Sequence, residues 1–327
     1  MPKISVITTV YNCEKFIGKS VLSILNQSYR DFEYIIINDG STDGPNDILR
    51  QFAAKDNRII LKELEENYER VKSLNTALEI ATGEYIAIQD ADDISLPERL
   101  ERQNELLDKN PEIVLTGANI EIINELDEVI STPKRPSHNH EIQFSLIFRC
   151  TLANPSLMFR KKILDEYKIS YEEDYLHAED FRLITRMCHI GKIYNIEEPL
   201  VKYRKHDQNN SRVNYDFLNN GSITIVKENL KNLGLDVNEE QIFRIRNLMS
   251  SKGIRKEFVY EDVNLVFNVI KEFQKKYHNE KNEAVNQTLK RMLKWLGKKN
   301  LLYKFSYFSL YKNILGYYFK EAVLRRN

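Results

Sequence analysis

Tyr85-Ile86-Ala87-Ile88-Gln89-Asp90-Ala91-Asp92-Asp93 passes from four consecutive apolar residues to three carboxylates within four positions. A short run with no polar alternation reads as a strand buried on both faces, as in a parallel sheet covered by helices. Three acids where such a strand emerges repel one another unless a cation or hydrogen-bond donors compensate. Mg²⁺ and Mn²⁺ suit the position, because they favour oxygen ligands and bind through one or two carboxylates plus substrate phosphates. A solvated acidic strand end is the plain alternative.

The same grammar runs on both sides of this stretch. Ile4–Val10 is rich in β-branched residues, and Ile17, Val21, Ile24 and Leu25 then recur at helical spacing after Asn12, which is expected to cap that helix. Tyr34–Ile37 is another apolar strand and ends in the turn Asn38-Asp39-Gly40-Ser41-Thr42-Asp43. Ile59–Leu61 follows a further helical stretch, and Leu74, Leu78 and Ile80–Ala81 mark a helix stopped by Thr82-Gly83. Strands alternating with helices predict an α/β fold with a mostly parallel sheet flanked by helices. Ligands of such sheets lie beyond the carboxyl ends of the strands, which puts Thr9–Asn12, Asp39 and Asp90–Asp93 along one rim. Further on, Leu157–Phe159 and Lys192–Ile196 read as strands, with a helix from about Ala178 to Ile190 between them.

Past Asn214 the strand signals stop. Val263, Val266, Ile270, Phe273 and Tyr277 form one helical stripe. Val285, Leu289, Met292 and Leu296 form a second, ending at Gly297 as a C-cap would. Two regions are therefore expected: a catalytic domain over 1–215 and an all-helical C-terminal appendage over 216–327.

Charge divides along the chain. The 327 residues hold 48 basic and 48 acidic side chains, so the net charge is zero, which argues against a generic nucleic-acid binder. Residues 281–327 hold eleven Lys or Arg and two acids, leaving −9 on the rest. A basic tail with eight aromatics in residues 301–327 predicts an anionic partner, a membrane surface above all. Leu301, Phe305, Phe308, Leu315 and Phe319 share a face of that tail, and a helix packed on the body or on a partner is the alternative. Three widely spaced cysteines, no room for a signal peptide and no uncharged apolar run of about 18 residues predict a cytoplasmic chain, peripheral to the membrane at most.

Two more polar clusters carry chemistry. In His177-Ala178-Glu179-Asp180, the acids either complement a helix dipole or supply a general base. Tyr203-Arg204-Lys205-His206, with Gln208 and Ser211 after it, is either a polar loop or a phosphate clamp with a His metal ligand. Asp39 alone reads as an Asx-turn residue.

In their order, these segments, together with Ser73-Leu74-Asn75, Gly83-Glu84-Tyr85, Leu96-Pro97-Glu98-Arg99-Leu100 and Asn154-Pro155-Ser156-Leu157-Met158-Phe159, resemble inverting family 2 glycosyltransferases of the GT-A fold. The resemblance spans about residues 3–212 and is closest to bacterial lipooligosaccharide and capsular polysaccharide transferases, β-1,3-N-acetylglucosaminyltransferases among them. It implies a nucleotide-sugar donor, UDP-linked (UDP-GlcNAc, UDP-GalNAc or UDP-Gal), and a glycan or lipid-linked glycan acceptor. It implies nucleotide-sugar contacts at Thr9, Tyr11, Asp39, Asn75, Asp90, Asp92 and Arg204, with Asp39 accepting from the uracil imide. Asp180 then matches the catalytic base, Glu179 an acceptor or support residue, and Asp92 and His206 the ligands of Mn²⁺ or Mg²⁺. Glu69 stands where many members have glycine. A DxD phosphatase or phosphotransferase and an inactive nucleotide-sugar-binding module are the alternatives; a dinucleotide-dependent oxidoreductase fits less, for want of a GxGxxG after the first strand.

Overall fold

The computed structural model describes residues 1–207, 209, 215–249, 260–277, 283–298, 310 and 312–317. By its internal contacts the chain divides into two units, Met1–Ser137 with Thr151–Gly221, and His138–Cys150 with Ser222–Asn327.

The first unit is built on a nine-stranded mixed sheet. Its opening half follows the alternation of the sequence: β1 (Ile4–Val10), α1 (Glu14–Leu25), β2 (Phe32–Asp39), α2 (Pro45–Lys55), β3 (Ile59–Leu64), α3 (Arg70–Ile80) and β4 (Tyr85–Ile88). These strands lie in the parallel order β3-β2-β1-β4. β1 and β4 are central and almost wholly buried, whereas the edge strand β3 buries only Ile59 and is otherwise half-buried or exposed. One correction concerns Asn12: it does not cap α1. Cys13 holds that place without a side-chain bond, and the Asp43 carboxylate accepts from the Glu14 N–H at 2.8 Å instead.

The other half contains β5 (Ile94–Ser95), α4 (Arg99–Lys109), β6 (Ile113–Ile123), β7 (Val129–Ser131), β8 (Met158–Arg160), α6 (Lys161–Tyr167), α7 (Glu179–Cys188) and β9 (Lys192–Arg204); α5 (Asn139–Leu146) belongs to the second unit. β8 runs antiparallel between β4 and β6, β9 lies parallel to β6, and β5 pairs antiparallel with β9. The apolar reading of the sequence passed over β6, because Thr116, Gly117 and Asn119 break its hydrophobic run. All three are nevertheless buried in the sheet. β9 extends eight residues beyond the expected Lys192–Ile196, to Arg204. Since β4 is central and β5 is at the far edge, the acidic segment Asp90–Asp93 crosses from one part of the sheet to the other.

Arg99 lies beneath that crossing with 0% exposure. Its guanidinium donates to Gln89 Oε1 (3.0 Å), Ser95 Oγ (2.8 Å), Gln103 Oε1 (3.1 Å) and the Ile88 carbonyl (2.7 Å). Gln89 in turn donates to the Asp90 and Asp93 carbonyls. Burial pushes the Arg99 pKa down to about 9, while the nearby Asp90 and Asp93 work against that fall.

The second unit is helical among the described residues: α5 (Asn139–Leu146), the later part of α8 (Tyr215–Lys231), α9 (Glu239–Met249), α10 (Tyr260–Tyr277) and α11 (Glu283–Lys298). Val263, Val266, Ile270 and Phe273 are buried on α10, and Val285, Leu289 and Met292 on α11. α9 starts with a reciprocal cap between Asn238 and Gln241. Gly297 lies within α11 and does not end it. No described helix is long and apolar enough to cross a membrane. In the basic tail, Leu301, Phe305, Phe308 and Phe319 fall outside the described residues, as do Gln208 and Ser211.

Candidate active site

Three loops meet at the carboxyl ends of β1, β2 and β4. Asn12, with φ 48°, accepts from the Thr42 N–H at 2.9 Å, and its own N–H donates to Ser41 Oγ at 3.1 Å. This ties the β1 turn to the β2 turn. Thr9 is half-buried near the end of β1, and Tyr11 just beyond it is 49% exposed. Asp39 ends β2 at 3% exposure, and its Oδ1 accepts from the Tyr68 N–H at 2.8 Å. Gly40, with φ +63°, has no room for a Cβ, which would meet the Glu66 backbone at 2.3 Å. The loop before α3 is thus held directly against Asp39.

Each acid of the turn after β4 has different partners. Asp90 Oδ1 accepts from Arg70 Nη2 at 2.6 Å and from Asn154 Nδ2 at 2.9 Å. Asp93 is buried; its Oδ1 accepts from the Arg204 N–H at 2.7 Å, while Oδ2 meets no hydrogen-bond partner among the described residues. Burial, then the charges of Asp92 and Asp90, raises the Asp93 carboxyl well above the usual carboxylate range. The Asp92 carboxylate takes no arginine partner among the described residues. Its Oδ2 lies 2.8 Å from His206 Nε2 and accepts from Asn209 Nδ2 at 3.2 Å.

Arg204, expected to touch the nucleotide-sugar, is 1% exposed, and its Nη2 meets no hydrogen-bond partner among the described residues. Its Nε donates to the Asp92 carbonyl (2.8 Å), its Nη1 lies 2.5 Å from Asp127 Oδ1, and its guanidinium covers the Phe16 ring at 4.7 Å. It shapes the acidic turn from below, because the long β9 delivers it there.

Arg70 and the acid pair complete the site. α7 begins at Glu179, and Asp180 Oδ1 accepts from the Phe181 N–H at 2.6 Å. Glu179 is 7% exposed, with Oε1 at 3.1 Å from Arg70 Nε. One guanidinium therefore joins Asp90 of the turn to Glu179 of the pair. Burial first, then the Glu179 charge, pushes the Asp180 pKa up to about 7; the Phe181 N–H and Arg70 pull the other way.

Glu69, directly before Arg70, has φ 71° and ψ 154°, a region open almost solely to glycine. His177, just before the acid pair, also has positive φ, at 68°. Non-glycine residues persist in such conformations only where their surroundings enforce them. A cavity of about 210 Å³ opens beside α3, lined by Tyr68, Glu69, Val71, Lys72, Glu173 and Leu176.

Residues 5–168 match the family model of glycosyl transferase family 2. The chain belongs to that family. An uncharacterized glycosyltransferase of Haemophilus influenzae is 32% identical over 275 residues, covering 80% of this chain and 85% of the relative. The O-antigen biosynthesis glycosyltransferase WbnJ of Escherichia coli is 35% identical over 64% of this chain and 82% of its own length. S. aureus TarS residues 1–349, solved with UDP-GlcNAc, superposes with a TM-score of 0.60 at 18% identity, over 97% of this chain and 92% of that one. The mannosyltransferase PcManGT from Pyrobaculum calidifontis, solved with GDP-Man and Mn²⁺, gives 0.50 at 18% identity, over 99% and 85%. Both structures share the GT-A-like fold of this family 2 glycosyltransferase, and the phosphotransferase alternative is left without support.

The geometry of the glycosyltransferase gathers Asp90, Asp92, His206, Glu179 and Asp180 in one region, with Asp39 and Thr9 on the neighbouring strand ends. Asn75 is placed differently: both ends of its amide are taken by the backbone of Tyr171, at 2.9 and 3.0 Å. Arg70, Arg99, Asn154 and Asn209 were not singled out from the sequence. Arg70 stood next to the unusual Glu69, and Asn154 and Arg99 lay within family-like motifs; Asn209 carried no signal.

Proposed function

We propose that this family 2 enzyme transfers a hexosyl or N-acetylhexosaminyl group from a UDP-linked sugar to a hydroxyl of a glycan or lipid-linked glycan, with inversion. The observation that carries the reading is Arg70 bridging Asp90 and Glu179, which places the Glu179–Asp180 pair beside the acidic turn; burial, then the Glu179 charge, pushes the Asp180 carboxyl up to about 7. A base is most effective when its pKa lies near the working pH. Asp180 removes the proton of the acceptor hydroxyl as that oxygen attacks the anomeric carbon. Arg70 holds Glu179 in place at the start of α7, and Asp39 and Thr9 border the nucleoside end. The UDP-GlcNAc complex of TarS and the O-antigen role in the name of WbnJ support the donor and the pathway class, surface polysaccharide synthesis.

Asp92 and His206 fit a divalent cation in part. Their side chains lie 2.8 Å apart, one oxygen and one nitrogen donor free of arginine partners among the described residues. No group of three His, Cys, Asp or Glu is placed to hold a metal among the described residues, so the diphosphate would have to complete the shell. Mn²⁺ or Mg²⁺ held there supplies positive charge to the departing nucleoside diphosphate. The Mn²⁺ in the PcManGT structure supports this choice. The basic tail fits work at the cytoplasmic face of a membrane.

A melting-temperature panel of nucleotide-sugars, with and without Mn²⁺, tests the donor assignment. A donor at about 100 times its Kd stabilises by roughly 2.7 kcal/mol. UDP-sugars are expected to shift the transition, more so with metal, and to release UDP on incubation with a glycan acceptor. Absence of both effects for every UDP-sugar would overturn the donor assignment.

A further inference from the structure

Tyr171 plays no part in the chemistry above, yet it lies within the same cluster. Its backbone is clasped by Asn75 from 96 residues away. The residue is 2% exposed, and its hydroxyl meets no hydrogen-bond partner among the described residues. The charges acting on it are those of Arg70, Glu179, Asp180 and Asp90. Burial, with the three carboxylates, raises its phenol above the ordinary range, so at neutral pH the group is a hydroxyl donor.

Glu179 repeats the pattern. Oε1 faces Arg70, but Oε2 has no partner among the described residues, in a side chain more than nine-tenths buried. Buried polar atoms are almost always paired in native proteins, so two unpaired atoms in one cluster point to a ligand that pairs them. One needs an acceptor and the other a donor. An alcohol offers both, since its oxygen accepts while its O–H donates.

We infer that the Tyr171 hydroxyl and Glu179 Oε2 together hold one ring hydroxyl of a substrate sugar beside Asp180. The inference rests on the transferase reading and names a specificity contact within that site. A sugar-ring alcohol occurs on both the donor sugar and the acceptor glycan, and kinetics separate the two. A site built to bond a hydroxyl rejects the analogue that lacks it.

Tyr171→Phe removes the one oxygen and keeps the ring. Because that oxygen is unpaired in the protein alone, the variant is expected to melt at or above the wild-type temperature. Its kcat/KM is expected to fall about tenfold or more. A rise in donor KM, with slower hydrolysis of the donor in the absence of acceptor, assigns the hydroxyl to the donor sugar. A rise in acceptor KM alone assigns it to the acceptor. The matching deoxy-sugar should be a poor substrate for wild type and no poorer relative to the parent sugar for Y171F. Wild-type kinetics in Y171F would overturn the inference, as would a lowered melting temperature accompanying the lost activity, which marks a purely structural hydroxyl. If the wild-type enzyme turns over no nucleotide-sugar, the transferase reading itself falls and takes this one with it.

Discussion

Arg70 Nη2 lies 2.6 Å from Asp90 Oδ1, and the same guanidinium reaches Glu179 with its Nε at 3.1 Å. The turn after β4 and the start of α7 are separated by nearly ninety residues of sequence and are joined through this one side chain. Both carboxylates are mostly buried, so neither is fully solvated once the arginine is removed.

Arg70→Met is therefore expected to lower kcat/KM by about a hundredfold or more and to cost about 1.5–3 kcal/mol in stability, the range for hydrogen bonds to charged groups. Urea unfolding and steady-state kinetics check this. Arg70→Lys should recover part of the stability and little of the activity, because an ammonium cannot reach both carboxylates in the forked geometry. Full activity in R70M would remove Arg70 from the site.

The pH behaviour follows from Asp180, whose pKa is pushed up to about 7. As a base it must be ionised, so kcat/KM should climb roughly tenfold per pH unit below about 7 and level off above it. Asp180→Asn should lose about 10²–10⁴ in rate while still binding donor.

Stability moves the opposite way with pH. Between an unfolded carboxyl pKa of about 3.9 and the folded value, the native state binds the extra proton, so stability falls as pH rises through that window. Asp180→Asn carries no such penalty. Its melting temperature should exceed that of wild type by a margin that grows from pH 4 to pH 7 and then holds constant. A margin that does not change with pH would contradict the raised pKa.

At Glu69 the glycine-like φ 71° and ψ 154° strain a side-chain-bearing residue by about 1–3 kcal/mol. Glu69→Gly releases that strain at an entropic cost of about 0.5–1 kcal/mol in the unfolded chain. Glu69→Ala keeps the strain. E69G should thus melt at or above wild type and clearly above E69A, a comparison that calorimetry makes directly.

Arg99→Met should be severe. The guanidinium is wholly buried, and its loss leaves Gln89, Ser95, Gln103 and the Ile88 carbonyl short of donors. A loss of about 3–5 kcal/mol is expected in urea unfolding. A loss below about 1 kcal/mol would mean that the framework under Asp90–Asp93 does not depend on this residue.

The sequence by itself determined the parallel half of the sheet. Apolar runs such as Ile4–Val10 and Tyr85–Ile88 have one way to bury both faces, and the turns at Asn38–Asp43 and Asp90–Asp93 follow from where those runs stop. It could not disclose β6, because a strand with Thr116, Gly117 and Asn119 at its centre depends on partners for those polar groups. Asn119 meets Asn195 and the Glu197 carbonyl, and both lie on β9, more than seventy residues away. The tertiary structure likewise decided what each charged residue does. Asp90, Asp92 and Asp93 are near-equivalent in sequence, yet one meets Arg70, one meets His206 and one is sealed against Arg204. Arg204 and Asn75, which look like ligand contacts in the chain, also hold backbone, Arg204 at the Asp92 carbonyl and Asn75 at Tyr171. Hydrophobic periodicity is local and can be read along a chain; the pairing of charges and hydrogen bonds across 20 to 117 residues exists only after folding.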